Sequence, residues 1–326
     1  MTDRVFPDGQ FLAAGELLLD LIVTDGAPDL GSADTFAARA GGAPANGAVA
    51  MARLGLPAAF AGVVGADPIG ERLATALAAE GVDLSRLRRT HDAPTTLAFA
   101  WKDAAGDGHF WLLRAADLRL SPDDMDAAGI DRLGALVVCS IALSDEPSRA
   151  AMWRAAELAG AAGVPLCFDV NLRPSLWRDL GEARAACLPV LRHATLVKLS
   201  LDDARGIFEP GITPEEVFAR VAEHAPNAAT VLTDGERGSW FRVAESGRVV
   251  HVPAWTVDAV EPTGAGDAFT AALLKRLSSR GWGAPTADDL RYASAAGALA
   301  TTKRGAWDAL PTPAELDAFI ARAGRA

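Results

Sequence analysis

Glu261-Pro262-Thr263-Gly264-Ala265-Gly266-Asp267-Ala268-Phe269 follows a strand-like run at 248–252 and opens a long Ala/Leu-rich helical segment. The small residues 264–266 leave their backbone N–H groups uncovered. A helix N-terminus adds unsatisfied donors and partial positive charge, so an anion is welcome there. Asp267 then stands beside the anion. Donors for a transferring group next to a carboxylate that can take a proton suit phosphoryl transfer to a hydroxyl. An Asp in a first helical turn is equally a common cap, and the stretch alone does not separate the two.

The same order of strand, turn and helix recurs along the chain. Candidate strands at 11–14, 58–64, 135–139, 165–170, 196–199 and 229–233 alternate with candidate helices at 45–54, 70–80, 148–162, 181–191, 214–224 and 267–279. Strands this apolar, separated by helices, predict an α/β fold with a mostly parallel sheet covered on both faces. Ligands of such sheets bind beyond the carboxyl ends of the strands. Each polar motif below follows a candidate strand, so the motifs are expected to form one site. Two segments break the pattern. Residues 17–24 and 95–114, with Phe99, Trp101, Phe110 and Trp111, read as β ribbon with a hairpin turn at 104–108. Such an insertion can form a small β lid that excludes water, or an edge extension or dimer contact.

Composition narrows the partners. Half of the 326 residues are hydrophobic and the net charge is −11, which argues against a nucleic-acid surface and against an anionic membrane. No apolar run approaches the ~20 residues needed to cross a bilayer. Met-Thr-Asp-Arg-Val has no basic stretch before an apolar core, so no signal peptide is expected. Cys139, Cys167 and Cys187 lie in or near apolar runs without C-x-x-C spacing, which suits reduced core thiols and a cytoplasmic protein. The five histidines are scattered and make a zinc site an unfavoured reading.

Gly41-Gly42-Ala43-Pro44-Ala45-Asn46 precedes a helix. Its glycines let backbone approach a ligand, and Asn46 can donate and accept, which suits a polyol. Asp20 follows Leu17-Leu18-Leu19 and reads as a carboxylate at a strand's end, able to accept sugar hydroxyls or to cap. In Phe168-Asp169-Val170-Asn171-Leu172-Arg173-Pro174, the alternating Asp169, Asn171 and Arg173 share a face if the strand continues. Lys198-Leu199-Ser200-Leu201-Asp202-Asp203 ends a strand, with Ser200 as an N-cap and Asp203 as its capping-box acid or a water-mediated magnesium contact. Thr233-Asp234-Gly235-Glu236-Arg237-Gly238-Ser239 is a Gly turn that can cradle phosphates or close a hairpin into 240–243. No G-x-x-x-x-G-K-[ST] and no G-x-S-x-G occurs. Phe269 stands where a dinucleotide fingerprint needs its third Gly, which excludes a nucleotide-dependent oxidoreductase of that type.

Together these motifs resemble the PfkB (ribokinase-like) carbohydrate kinases, over nearly the whole chain, from Gly15-Glu16-Leu17-Leu18-Leu19-Asp20 to Gly305-Ala306-Trp307-Asp308-Ala309-Leu310-Pro311. The family's two signature regions correspond to 41–46, extended by 62–70, and to 263–267. The resemblance implies one kinase domain over 1–326, a Rossmann-like core, and lid segments at about 15–35 and 92–118. It implies ATP and Mg²⁺, with a sugar hydroxyl as phosphate acceptor. By position Asp267 is then the catalytic base and Gly264, Ala265 and Gly266 the anion hole. Asp20, Gly41, Gly42 and Asn46 are sugar contacts. Thr233, Gly235 and Gly238 are nucleotide contacts, joined by Thr263 and Ser294. Lys198, Ser200 and Asp203 position phosphate and magnesium.

Within the family, 139–149, 168–177 and 301–306 resemble the fructokinase branch, and Arg114 with Ala116-Asp117 resembles its lid-end motif. Fructokinase is the expected activity. The 2-keto-3-deoxygluconate kinases share much of 169–177, and their acid substrate would welcome Arg173 or Arg114. A catalytically silent sugar-binding relative is the other alternative. Glu261 stands where the family usually has an Asp that often binds a monovalent cation; the longer carboxylate shifts that geometry and argues against potassium. Ser294 replaces a frequent Asn near the adenine, and Ser200 and Asp203 shorten the usual Asn and Glu. The aromatic lid strands suggest a homodimer.

Overall fold

The computed structural model describes residues 9–243 and 247–323. Its strands, in chain order, are β1 (Phe11–Ala14), β2 (Leu18–Val23), β3 (Phe36–Gly41), β4 (Ala58–Gly65), β5 (Asp83–Thr90), β6 (Leu97–Lys102), β7 (Gly108–Leu113), β8 (Ala135–Cys139), β9 (Leu166–Asp169), β10 (Leu196–Ser200), β11 (Ala229–Thr233), β12 (Ser239–Arg242) and β13 (Val249–Val252). Among the described residues, one nine-stranded sheet has the order β13-β12-β11-β10-β9-β8-β1-β4-β5. From β11 to β5 all neighbours are parallel; β12 and β13 add an antiparallel edge.

The core strands are apolar because both faces are covered. All eight residues of β4 are buried. Alternate residues of one strand enter different cores, as the two-residue period requires. Leu12 and Ala14 join a cluster with Leu136, Val138 and the helix Ser148–Ala162, while Phe11 and Ala13 join Ala135, Val137 and the helices Ala43–Arg53 and Ala265–Ser278. The three cysteines are buried free thiols.

β3, β2, β6 and β7 form a second sheet, with β2 parallel to β6 and the outer pairs antiparallel. The expected hairpin turns one residue earlier than 104–108. Asp103 Oδ1 accepts from the amides of Ala105 (2.9 Å) and Asp107 (3.0 Å), so a side chain closes the turn. Phe99 stacks on Trp111 and Trp101 on His109, each cross-strand pair at 5.4 Å between centroids. Asp20 lies in the middle of β2, not at a strand's end. Leu19 and Leu21 flank it in the same strand, so the apolar run preceding it in sequence does not mark where the strand stops.

Candidate active site

The helix Ala265–Ser278 begins at Gly264, whose φ of +83° is a left-handed conformation. A Cβ there would also stand 3.1 Å from the Ala306 carbonyl oxygen. Ala265 N–H donates to Pro262 O within the turn, whereas the Gly266 and Asp267 amides have no acceptor among the described residues. Asp267 does not cap this helix, which corrects the cap reading. Its Oδ2 instead accepts from Asn46 Nδ2 at 3.1 Å. The orphan amides therefore remain open to an anion.

Beneath them lies Lys198, in the middle of β10. Its Nζ donates to Asp169 Oδ1 at 3.1 Å, and Asp169 Oδ2 accepts from Thr270 Oγ1 at 2.7 Å. A Cβ at Gly266 would be 3.1 Å from Lys198 Nζ, so the ammonium sits directly under the helix start. Burial works against its charge, but the carboxylates of Asp169, Asp203 and Asp267 outweigh burial and hold its pKa above the ordinary value. Asp267 shows the opposite balance. Burial first and Asp169 second raise its pKa to about 6, against the Asn46 hydrogen bond and the charges of Lys198 and Arg173. A carboxylate at that value takes up a proton more readily than an ordinary Asp.

On the other side of Asp267 lies the turn before Ala43–Arg53. Glu16 Oε1 accepts the Ala43 amide at 2.9 Å and so serves that helix N-terminus from a distant segment. Asp20 faces Gly41 so closely that a Cβ at 41 would be 1.9 Å from Asp20 Oδ2. Its carboxylate has no hydrogen-bond partner among the described residues. Burial, then the charge of Glu261, push its pKa to about 7. Glu261 Oε2 accepts the Gly305 amide at 3.2 Å.

Several expectations change in detail. β9 ends at Asp169, and Asn171 has φ +42°, so Asp169, Asn171 and Arg173 do not share a strand face. Asp169 is buried against Lys198, while Arg173 is exposed and its charge reaches Asp267. Arg114 is buried and bonded to Asp117, to Ser144 Oγ and to Ile141 O (2.7 Å), so its guanidinium ties the second sheet to the 141–144 turn. Ser200 and Asp203 do form the capping box. Asp203 Oδ1 also accepts the Leu172 amide at 2.7 Å, leaving little of the carboxylate for a metal. Among the described residues no group of three or more His, Cys, Asp and Glu could hold a metal ion. A magnesium ion here would rely on phosphate oxygens and water, as this cation often does.

A cavity of about 750 Å³ opens over Lys198 and Gly266, a size that fits a nucleotide. Ser200, Thr233, Gly235, Gly238 and Ser294 line it; Thr263 does not and is exposed on its turn. The 235–238 turn closes the hairpin between β11 and β12 and also lies in the wall of the cavity. Trp255 is a wall residue that no motif announced. Its Nε1 donates to Arg291 O at 3.0 Å and the Arg291 guanidinium lies 4.4 Å above its ring.

A nucleotide-sized cavity, open helix amides over an ammonium, and a half-buried carboxylate bonded to the Asn of a polyol-type turn define a phosphotransferase with an alcohol acceptor. The sequence profile of the pfkB family carbohydrate kinases matches residues 10–313, and the chain belongs to that family. It is 37% identical over 316 residues to fructokinase-1 of Zea mays, covering 95% of this chain and 97% of that one. Fructokinase from Xylella fastidiosa with bound ATP superposes with a TM-score of 0.85 at 28% identity, covering 97% and 99% of the two chains. Fructokinase from Vibrio cholerae in fructose-, ADP- and calcium-bound form gives 0.80 at 30%, covering 96% and 99%. The chain shares the fold of ribokinase-like sugar kinases.

Proposed function

We propose that this protein transfers the γ-phosphate of ATP to a hydroxyl of fructose. One observation carries the reading: Asp267 is bonded to Asn46 and adjoins Gly266 in the cavity wall, with its own amide and that of Gly266 unpaired among the described residues. The acceptor hydroxyl gives its proton to Asp267 and its oxygen attacks the γ-phosphorus, breaking the bond to the β–γ bridging oxygen and releasing ADP. The Gly266 and Asp267 amides and Lys198 receive the charge that develops on the transferred group. Magnesium, when bound with the nucleotide, supplies further charge neutralisation. Asp20 accepts two sugar hydroxyls, which fixes the acceptor, and Gly41 gives it room.

Arg173 supports the second reading, 2-keto-3-deoxygluconate kinase, because an exposed guanidinium near Asp267 suits an acid substrate. Exposed Phe36, Trp111 and Leu113 on the second sheet suit its use as a lid and as a dimer contact in a cytoplasmic enzyme. A coupled ATPase assay across fructose, ribose, 2-keto-3-deoxygluconate and nucleosides tests the assignment. Fructose is expected to give the highest kcat/KM; a preference for the keto-acid sugar selects the second reading, and no turnover with any acceptor selects a silent relative.

A further inference from the structure

The turn after Thr302 touches the site at three points. Gly305 N–H donates to Glu261, the Ala306 carbonyl packs against Gly264, and Trp307 Nε1 donates to Asn46 Oδ1 at 2.8 Å. Arg53 holds this turn in place, donating from Nη1 to Trp307 O (2.6 Å) and Leu310 O (3.0 Å) while its other nitrogens pair with Glu80. Trp307 is itself buried.

An indole N–H can only donate. Whatever faces it must accept, so the Asn46 carbonyl is turned to Trp307 and the NH₂ is turned to Asp267. We propose that Trp307 is a positioning residue for phosphoryl transfer, acting through the orientation of the Asn46 amide to keep Asp267 a proton-accepting carboxylate. This rests on the kinase reading above. With the indole N–H gone, the amide can rotate and present its oxygen to Asp267, a repulsive contact in place of a hydrogen bond. The other charged groups acting on Asp267 are Asp169 at the end of β9, Lys198 on β10 and Arg173 beyond β9, and none of them depends on Trp307.

Trp307→Phe keeps an aromatic ring and removes the donor. Expected are a fall in kcat of about 10-fold, as for loss of one oriented catalytic hydrogen bond, little change in KM for ATP, and an acid limb of kcat displaced to higher pH. In an Asn46→Ala background the same change should have no further effect. An unmoved acid limb, or an equal loss with and without Asn46, assigns Trp307 a packing role and overturns the proposal. Should the variant fail to fold, ¹⁵N-Trp-labelled wild-type protein carries the test. One indole N–H resonance should titrate with the midpoint of Asp267 and shift in Asn46→Ala; no resonance answering to either overturns the proposal. That titration needs no turnover, so a wild-type protein that phosphorylates no sugar would reject the kinase reading separately.

Discussion

Lys198 Nζ and Asp169 Oδ1 lie 3.1 Å apart with both side chains buried, Lys198 in the middle of β10 and Asp169 at the end of the adjacent parallel strand β9. Desolvating two charges is unfavourable, so the pair stabilises the fold mainly in the sense that neither member can be removed alone. Lys198→Met should lower stability by about 3–5 kcal/mol, because Asp169 is left as an uncompensated buried carboxylate. Lys198→Met with Asp169→Asn should recover much of the urea midpoint. Neither variant should recover turnover, because the ammonium under Gly266 is gone from both. A double variant as unstable as the single one would show that the pairing does not explain Lys198's burial.

Asp267 gives a pH signature with a definite sign. Its pKa is raised to about 6, and only the deprotonated form accepts a proton, so kcat should rise with pH through about 6 and level off above it. Asp267→Asn should lower kcat by about 10²–10⁴ while leaving sugar binding within a few-fold. It should not lower the melting temperature, because it removes a charge that burial disfavours. Near-normal turnover in this variant would reject Asp267 as the base.

Gly41 and Asp20 are separated by no room for a methyl group. Gly41→Ala must displace the Asp20 carboxylate from the position in which it is open to sugar hydroxyls. KM for the sugar should rise by about 10-fold or more, the scale for loss of a hydrogen bond to a charged group, with KM for ATP unchanged. Equal effects on both substrates would place the strain elsewhere than at Asp20.

The core strands were legible because burial on both sheet faces makes them continuous apolar runs: 11–14, 135–139 and 229–233 are strands with those bounds. The site was legible only in part. Gly266 and Asp267 open a helix and Lys198 lies in an apolar strand, and local sequence places such residues near one sheet edge. Asp20 was misplaced within its strand because Leu21, Ile22 and Val23 continue that strand beyond the carboxylate. Asn171 breaks the alternation through a left-handed backbone that Asn tolerates but does not require. Trp307 is 261 residues from Asn46, and a hydrogen bond over that separation leaves no local pattern.

Glu16 carries the last test, through the pH dependence of stability. Burial raises its pKa from 4.5 to about 7, against the opposing charge of Arg114. Because the folded value lies above the unfolded one, the folded state binds the extra proton between these values. Stability from this group is therefore fully present below about 4.5 and is lost as pH rises through about 7. Asp20, near 7, and Asp267, near 6, act in the same direction. Glu16→Gln keeps an oxygen for the Ala43 amide and removes the titration. The variant should match the wild type at about pH 4 and exceed it at pH 8 by roughly 3 kcal/mol, the free-energy equivalent of the shift. Its melting temperature should also vary less with pH. A variant less stable than the wild type at pH 8 would mean that the carboxylate's attraction to Arg114 outweighs its burial, reversing the sign argued here.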